Sequence, residues 1–508
     1  MFEQKAQEPW YNSLAVLVVV CILLPPVGLI MLWLNRKPPI HTPIRKIIGT
    51  LALILISIGY MFLYASWERS SVNNSHYAVL EQHRQQQAAQ PAPTTAPVAA
   101  VSPSPQASAS PSPGQSAQPA APTRNYWTNF RGPKRDGKYD ETNVSTNWPA
   151  NGLPVVWKQP VGLGHASFTV ADGKAYTIEQ RRNQEVVAAY DLGTGRELWT
   201  QKWNAEFSDS TGDGPRATPT WDQGRIYALG ATGELRCLDA NSGAVIWGKN
   251  ILSDNQASNL SWGQAASPLV VDDKVIVLPG GTSGKSVVAY NKNTGAPIWK
   301  VLNDTQAYVS PMLAELGGRR QIVVVSSSRV VGLAPENGAL LWSYPWDTEG
   351  GINVSQPIMV DSNRFFISSG YRKGAALVEV KGGGNSFTAS TVWENNNMKN
   401  KFNSSVLHNG YIYGLDEGIL SCLDVNTGER KWKEGRYGYG QVILAGGHLI
   451  ITTDQGEVAL VKASPAQYTE VARFTALQGQ TWNYPALASG RLLVRNSNQM
   501  AAYDISSK

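Results

Sequence analysis

Cysteine and histidine are scarce in this chain of 508 residues, which holds three of the first and six of the second. Three cysteines without a regular spacing exclude a disulfide framework. The histidines do not cluster, and His41, His76 and His83 all lie in the first 90 residues, so no metal site is expected. There is no adjacent cysteine pair and no CxxCH stretch, which excludes attached haem. Charged residues are few, at 16%, and the net charge of +6 comes from scattered lysines and arginines. Without a basic stripe, nucleic acid is not an expected partner. GLGHAS lacks the serine of a nucleophile elbow, and GATGEL and GGTSGK lack full phosphate-loop spacing. No catalytic residue is therefore expected.

What the chain has in quantity is glycine, 47 residues, and tryptophan, 17. Both recur in a pattern. AYDLGTGRELW (189–199) returns as CLDANSGAVIW (237–247), AYNKNTGAPIW (289–299), GLAPENGALLW (332–342) and CLDVNTGERKW (422–432). Each copy reads as a strand, a tight turn closed by glycine, and a second strand carrying tryptophan. The Asx residue that opens most copies can bond the turn backbone. The tryptophan offers a large apolar face and one N–H, a docking group for a neighbouring unit. Cys237 and Cys422 fall at equivalent positions of two copies, too far apart to bridge, and read as free buried thiols.

The docking positions are Trp157, Trp199, Trp247, Trp299, Trp342, Trp393 and Trp432, with Phe474 substituting in the last unit. The unit before Trp393 lacks the turn motif and has Gly382-Gly383-Gly384-Asn385 in its place. After Phe474 the chain has residues for three strands only. LPVVWKQPV (153–161) supplies the fourth and closes the ring without an exposed edge. The expected fold is all-β, an eight-bladed propeller of four-stranded antiparallel blades over 153–508.

These motifs resemble the PQQ-like β-propeller repeats with their tryptophan-docking motif, found in pyrroloquinoline-quinone dehydrogenases and in BamB-like proteins of outer-membrane protein assembly. The resemblance covers about residue 153 to the C-terminus, and W-x-x-F-R-G-P at 127–133 is similar to segments that precede some of these propellers. For the quinoproteins it implies a PQQ site on the axis, between a tryptophan floor and a disulfide of adjacent cysteines, with calcium nearby. The chain lacks that cysteine pair and any Asp-rich calcium loop. No cofactor is expected, and PQQ with calcium stays as the alternative, as a dehydrogenase or as a sensor of PQQ or another anionic ligand. For the BamB-like branch the resemblance implies a protein partner on a propeller face. BamB is a lipoprotein, and here Val20 stands before Cys21 where a small residue would be required.

The region ahead of the propeller divides by composition. Residues 1–67 read as a membrane anchor with two transmembrane helices, at about 13–34 and 47–67, each near the roughly 20 residues that span a bilayer. Pro25-Pro26 should kink the first. Arg36, Lys37, Arg45 and Lys46 between them put the short loop in the cytoplasm and the propeller on the periplasmic or extracytoplasmic side of the inner membrane. A cleaved signal peptide is the alternative, disfavoured by an n-region that is not basic. Residues 68–124, rich in Pro, Ala, Ser and Gln, read as a disordered linker with a short helix near 77–87. Residues 125–152 form a pre-propeller segment, expected on the outside or over one face.

The loops that lead into the innermost strands carry the candidate ligand-binding residues. Arg216, Trp262, Gln264, Asn353 and Trp482 stand at the channel mouth, and Glu179 comes from the far side of an inner hairpin. Together they suit a planar anionic ligand held by arginine and stacked on an aromatic face. His165, Tyr308, Asn403, Tyr439, Gln441 and Asn483 occupy the same loops.

Overall fold

The computed structural model describes residues 14–34, 42–90, 126–383 and 386–507. The chain falls into two units, Met1–Ala78 and Val79–Lys508. The second unit is an eight-bladed propeller, each blade a four-stranded antiparallel sheet. Blade 1 shows the plan: Thr169–Ala171 innermost, then Lys174–Arg181, Gln184–Asp191 and, outermost, Glu197–Asn204. Blade 8 is built from both ends of the propeller. Val155–Pro160 pairs with Gln499–Asp504 as its outer strand, the closure anticipated from 153–161.

The repeated turn works as a socket. Asp191 Oδ1 accepts from Thr194 N at 2.8 Å, and Asp239 Oδ1 accepts from Ser242 N at 2.8 Å. This holds the turn so that Gly195 and Gly243 both take φ +73. The ring of Trp157 lies over Gly195, and a Cβ there would fall 2.7 Å from it. Glycine is thus required both for its backbone and for the space above it. Trp157 Nε1 donates to Leu192 O of the same turn at 2.9 Å. Trp199, Trp247, Trp299, Trp393 and Trp432 do likewise to Ala240, Lys292, Pro335, Val425 and Ser464 of the next blade. Trp342 differs. The next blade has no such turn but a long hairpin, Gly374–Gly383 with Ser386–Asn395. Trp342 instead donates to Gln321 Oε1 in its own blade at 2.6 Å and stacks on Phe365. Gly384 and Asn385 lie outside the described residues.

Near the axis, hydroxyls join the blades. Ser167 N donates to Thr218 Oγ1, Thr218 N to Ser267 Oγ and Ser267 N to Ser310 Oγ, each at 2.9 Å. Ser167 Oγ donates to Tyr484 O at 2.6 Å across the closure between blades 8 and 1. Small side chains let the strands converge, and their hydroxyls satisfy backbone groups that the inner edges would otherwise leave unpaired.

The segment at 126–144 seals one end of the channel. Its strand Lys138–Tyr139 pairs in parallel with Gln441–Ala445, the innermost strand of blade 7. Trp127 O and Thr128 O accept from Val170 N and Trp221 N of blades 1 and 2, each at 2.9 Å. Arg135 donates to Ser267 O at 3.0 Å, to Pro311 O at 2.8 Å and to Pro268 O. Arg131 donates to Ser405 O at 2.8 Å and lies over the Tyr484 ring. Both guanidiniums are fully buried among carbonyls, and burial lowers Arg135 to about 9.

Toward the N-terminus the structure departs from expectation. The expected span at 13–34 is two ten-residue helices, Leu14–Leu23 and Pro25–Leu34, interrupted at Leu24, where proline removes the donors a continuous helix needs. The second expected span lies inside a 47-residue helix, Pro43–Ala89, which runs on through the first part of the expected linker. That helix alone among the described residues is long and apolar enough to cross a membrane. Polar residues from 68 on do not stop it, because Glu, Arg, Gln and Ala are good helix formers and no proline intervenes. The rest of the expected linker, 91–124, lies outside the described residues, as does the loop holding Arg36 and Lys37.

Candidate functional site

The end of the channel opposite the sealing segment opens into a cavity of about 150 Å³. Phe130, from the sealing segment, and Tyr484 meet there edge to face at 5.0 Å. Trp262 and Tyr308 form one pair of lining rings, 5.2 Å apart, and Phe402 with Trp482 another, 5.5 Å apart. His165 stacks on Trp482 at 5.9 Å. The rings come from loops that enter different blades, so only closure of the propeller brings them together.

Backbone bonds hold those loops. Gln441 Nε2 donates to Phe402 O at 3.1 Å and Trp482 O at 2.8 Å, fixing two lining residues at once. Tyr308 N donates to Asn353 O at 2.9 Å, and Asn483 Nδ2 to Gly164 O at 3.1 Å and Ala166 O at 2.9 Å. The lining is positioned before any ligand arrives, which lowers the ordering cost of binding.

Of the candidate residues, Arg216, Trp262 and Trp482 line the cavity. Arg216 is already engaged. It pairs with Asp209 at 2.5 Å, donates to Gly212 O at 2.9 Å and to Gly214 O, and lies over Phe207. Burial lowers its pKa, and the Asp209 charge opposes that. Glu179, Gln264 and Asn353 are buried and serve the scaffold. Glu179 accepts from Gly162 N at 3.0 Å and pairs with Arg181, which also pairs with Glu197 at 2.6 Å. Gln264 Nε2 donates to Asn259 Oδ1 at 3.1 Å. Asn353 Nδ2 donates to Ser326 O at 2.9 Å, and its Oδ1 accepts from Ser369 Oγ at 2.7 Å.

Phe130, Phe402 and Tyr484 were not among the candidates, although they line the cavity beside them. A usable signal existed for two. Phe402 and Tyr484 stand just ahead of inner strands, like Tyr308 before Met312–Leu316. Phe130 carries no such signal, because it belongs to no blade.

Beside the cavity, Lys401 Nζ sits over Tyr439, Tyr371 and Phe402, at 5.1, 5.5 and 5.7 Å from their centroids. Tyr439 OH, at 3.4 Å, is its hydrogen-bond partner. Burial, reinforced by the charges of Arg216 and Arg495, lowers His165 to about 3, so the imidazole is neutral at physiological pH.

An eight-bladed ring with a docking tryptophan in six of its outer strands, sealed at one end and lined with aromatic rings at the other, defines a tryptophan-docked propeller. The chain belongs to the PQQ-like β-propeller repeat family, resembling the BamB-like and quinoprotein propellers. The family model described as outer membrane protein assembly factor BamB matches residues 182–434. A relative named outer membrane protein assembly factor BamB, from Shewanella oneidensis, is 24% identical over 50% of this chain and 66% of its own length, just under two thirds. A quinoprotein ethanol dehydrogenase from Pseudomonas aeruginosa is 25% identical over 37% of this chain and 34% of its own. Among solved structures, the quinohemoprotein alcohol dehydrogenase of Comamonas testosteroni has the same fold, with a TM-score of 0.53 and 14% identity over 76% of this chain and 81% of its own.

The cavity does not fit PQQ with calcium. Arg216, the guanidinium that would meet the quinone's carboxylates, is occupied by Asp209. No group of three or more His, Cys, Asp or Glu side chains gathers for a metal among the described residues.

Proposed function

We propose that this protein is a membrane-anchored propeller on the extracytoplasmic side of the inner membrane that holds a protein partner in the assembly of envelope proteins. The observation that carries this reading is the match of 182–434 to the BamB model. One channel end is sealed by the chain's own segment, which leaves the opposite loop face for a partner. The anchor includes the helices Leu14–Leu23 and Pro25–Leu34 and the apolar first part of Pro43–Ala89, in one span or as the two-span hairpin. Residues 1–67 serve as the anchor, the Pro/Ala/Ser/Gln-rich stretch to 124 as a spacer, 125–152 as the seal and 153–508 as the partner-binding ring.

The test is depletion of the intact chain, followed by measurement of the heat-modifiable, folded fraction of outer-membrane barrel proteins. Site-specific photo-crosslinking from Trp262 and Tyr371 on the open face accompanies it. A lowered folded fraction with a crosslink to assembly machinery is expected. Unchanged barrel levels with no crosslink would sink the reading. The second reading, a PQQ-dependent oxidoreductase, is favoured by the dehydrogenase relative. Calcium-dependent dye reduction with alcohols after addition of PQQ would put it in first place.

A further inference from the structure

We propose that the open end of the channel is a binding site for a single aromatic ring bearing a carboxylate. The proposal is independent of the scaffold reading. It rests on four properties of the cavity: a closed floor, fixed aromatic walls, size, and an unspent cation beside it.

Phe130 and Tyr484 meet where the sealing segment reaches the cavity, so a ligand enters from one side only. Its walls are the pairs Trp262–Tyr308 and Phe402–Trp482, inclined at 45° and 32°. Such surfaces favour a flat ring in stacked or edge contact over an aliphatic chain. The volume, about 150 Å³, matches the size of apolar cavity that takes up benzene. One ring fits.

Charge then selects the substituent. Lys401 disfavours a cationic ligand, so the rings are not a cage for an ammonium group. Arg216 is neutralised by Asp209 at 2.5 Å. Lys401 is not. Its ammonium rests on three ring faces with one phenol as hydrogen-bond partner, and no carboxylate pairs with it among the described residues. Lys401 Nζ lies 5.7 Å from the ring centroid of the lining residue Phe402, so it stands near enough to attract a carboxylate carried on a bound ring. An ammonium has three donors, and an ion pair with a ligand carboxylate would use those the phenol leaves open. His165, neutral and stacked on Trp482, has no hydrogen-bond partner at Nε2 and adds no competing charge. The same chemistry is carried by a free aryl acid and by the C-terminal aromatic residue of a polypeptide.

The experiment is saturation-transfer NMR on the full chain in nanodiscs. The probes are 3-phenylpropionate, 3-phenylpropanamide, 3-cyclohexylpropionate, and a tetrapeptide ending in phenylalanine with a free or an amidated terminus. Saturable binding of 3-phenylpropionate is expected, with affinity at least fivefold weaker for the amide and for the cyclohexyl acid. Lys401→Met should lower the acid to the level of the amide and leave the amide unchanged. Trp482→Ala should abolish both, and Trp482→Phe, which keeps a ring on that wall, guards against a folding defect by retaining part of the binding. A free-acid tetrapeptide that binds more tightly than 3-phenylpropionate assigns the ligand to polypeptide ends, and the reverse order to small metabolites; either supports the site. Equal binding of acid and amide, insensitivity to Lys401→Met, or no saturable binding of any probe would overturn it.

Discussion

The two ends of the channel handle the same problem, a positive charge near an apolar axis, in opposite ways. At the sealed end Arg131 and Arg135 are wholly buried and donate to backbone carbonyls of three blades. Those carbonyls belong to strands that would otherwise leave acceptors unpaired, so cation and ring complete each other. At the open end Arg216 is held by Asp209, and Lys401 is shelved on aromatic faces. At the sealed end the terminal guanidinium nitrogens are engaged by the ring's own carbonyls, although Arg131 Nε and Arg135 Nε have no partner among the described residues. The open end presents rings, a neutral histidine and an ammonium that no carboxylate pairs among the described residues. The difference teaches where to look for function: in the end that opens to solvent and lines its cavity with rings.

The comparison breaks most visibly at Arg135. Arg135→Ala removes the cation and strands the carbonyls of Ser267, Pro268 and Pro311, so a loss of about 3–5 kcal/mol is expected. Chemical denaturation of the purified chain measures it. A loss under about 1 kcal/mol would mean that the segment merely rests on the ring. A docking residue ranks next. Trp199→Ala empties the socket over Gly243 and costs about 3 kcal/mol, while it should leave the cavity rings in place. Melting curves report the first effect. Near-ultraviolet dichroism outside the Trp199 contribution reports the second.

At neutral pH the open end yields the smallest effect, and that effect grows as the solution is acidified. His165 is held at about 3 against an ordinary 6.5, so the unfolded chain binds a proton that the native chain refuses. Stability therefore falls as the pH drops from about 6.5 toward 3, by about 1.4 kcal/mol per pH unit from this residue. His165→Gln should flatten that slope and leave neutral-pH stability within about 1 kcal/mol. Parallel acid profiles for the two proteins would show that His165 protonates freely.

Much of the ring was legible because its grammar is local. An Asx residue, a glycine turn and a tryptophan within eleven residues specify one socket and one plug, and copying them specifies a closed circle. The local rule fails where a neighbour changes. Trp342 turns to Gln321 because the blade beyond it has no glycine socket. The channel residues were legible only by position. Arg216, Trp262 and Trp482 line the cavity, but nothing local says that Asp209 occupies Arg216, or that Glu179, Gln264 and Asn353 turn into the scaffold. At the N-terminus, polar composition suggested linker where the helix continues to Ala89, since helix propensity tolerates the charges that membrane reading treats as a boundary.

By itself the sequence determined the class of fold, the number of blades and the strand that closes the ring. Those follow from short-range hydrogen bonding and from a periodic apolar pattern repeated along the chain. The tertiary structure alone decided that residues 126–144 seal one end, and that rings from distant loops converge on the other. Phe130 and Tyr484 are separated by most of the propeller in sequence, yet meet at 5.0 Å. A contact of that kind exists only after the ring has closed, because closure brings the channel loops around one axis.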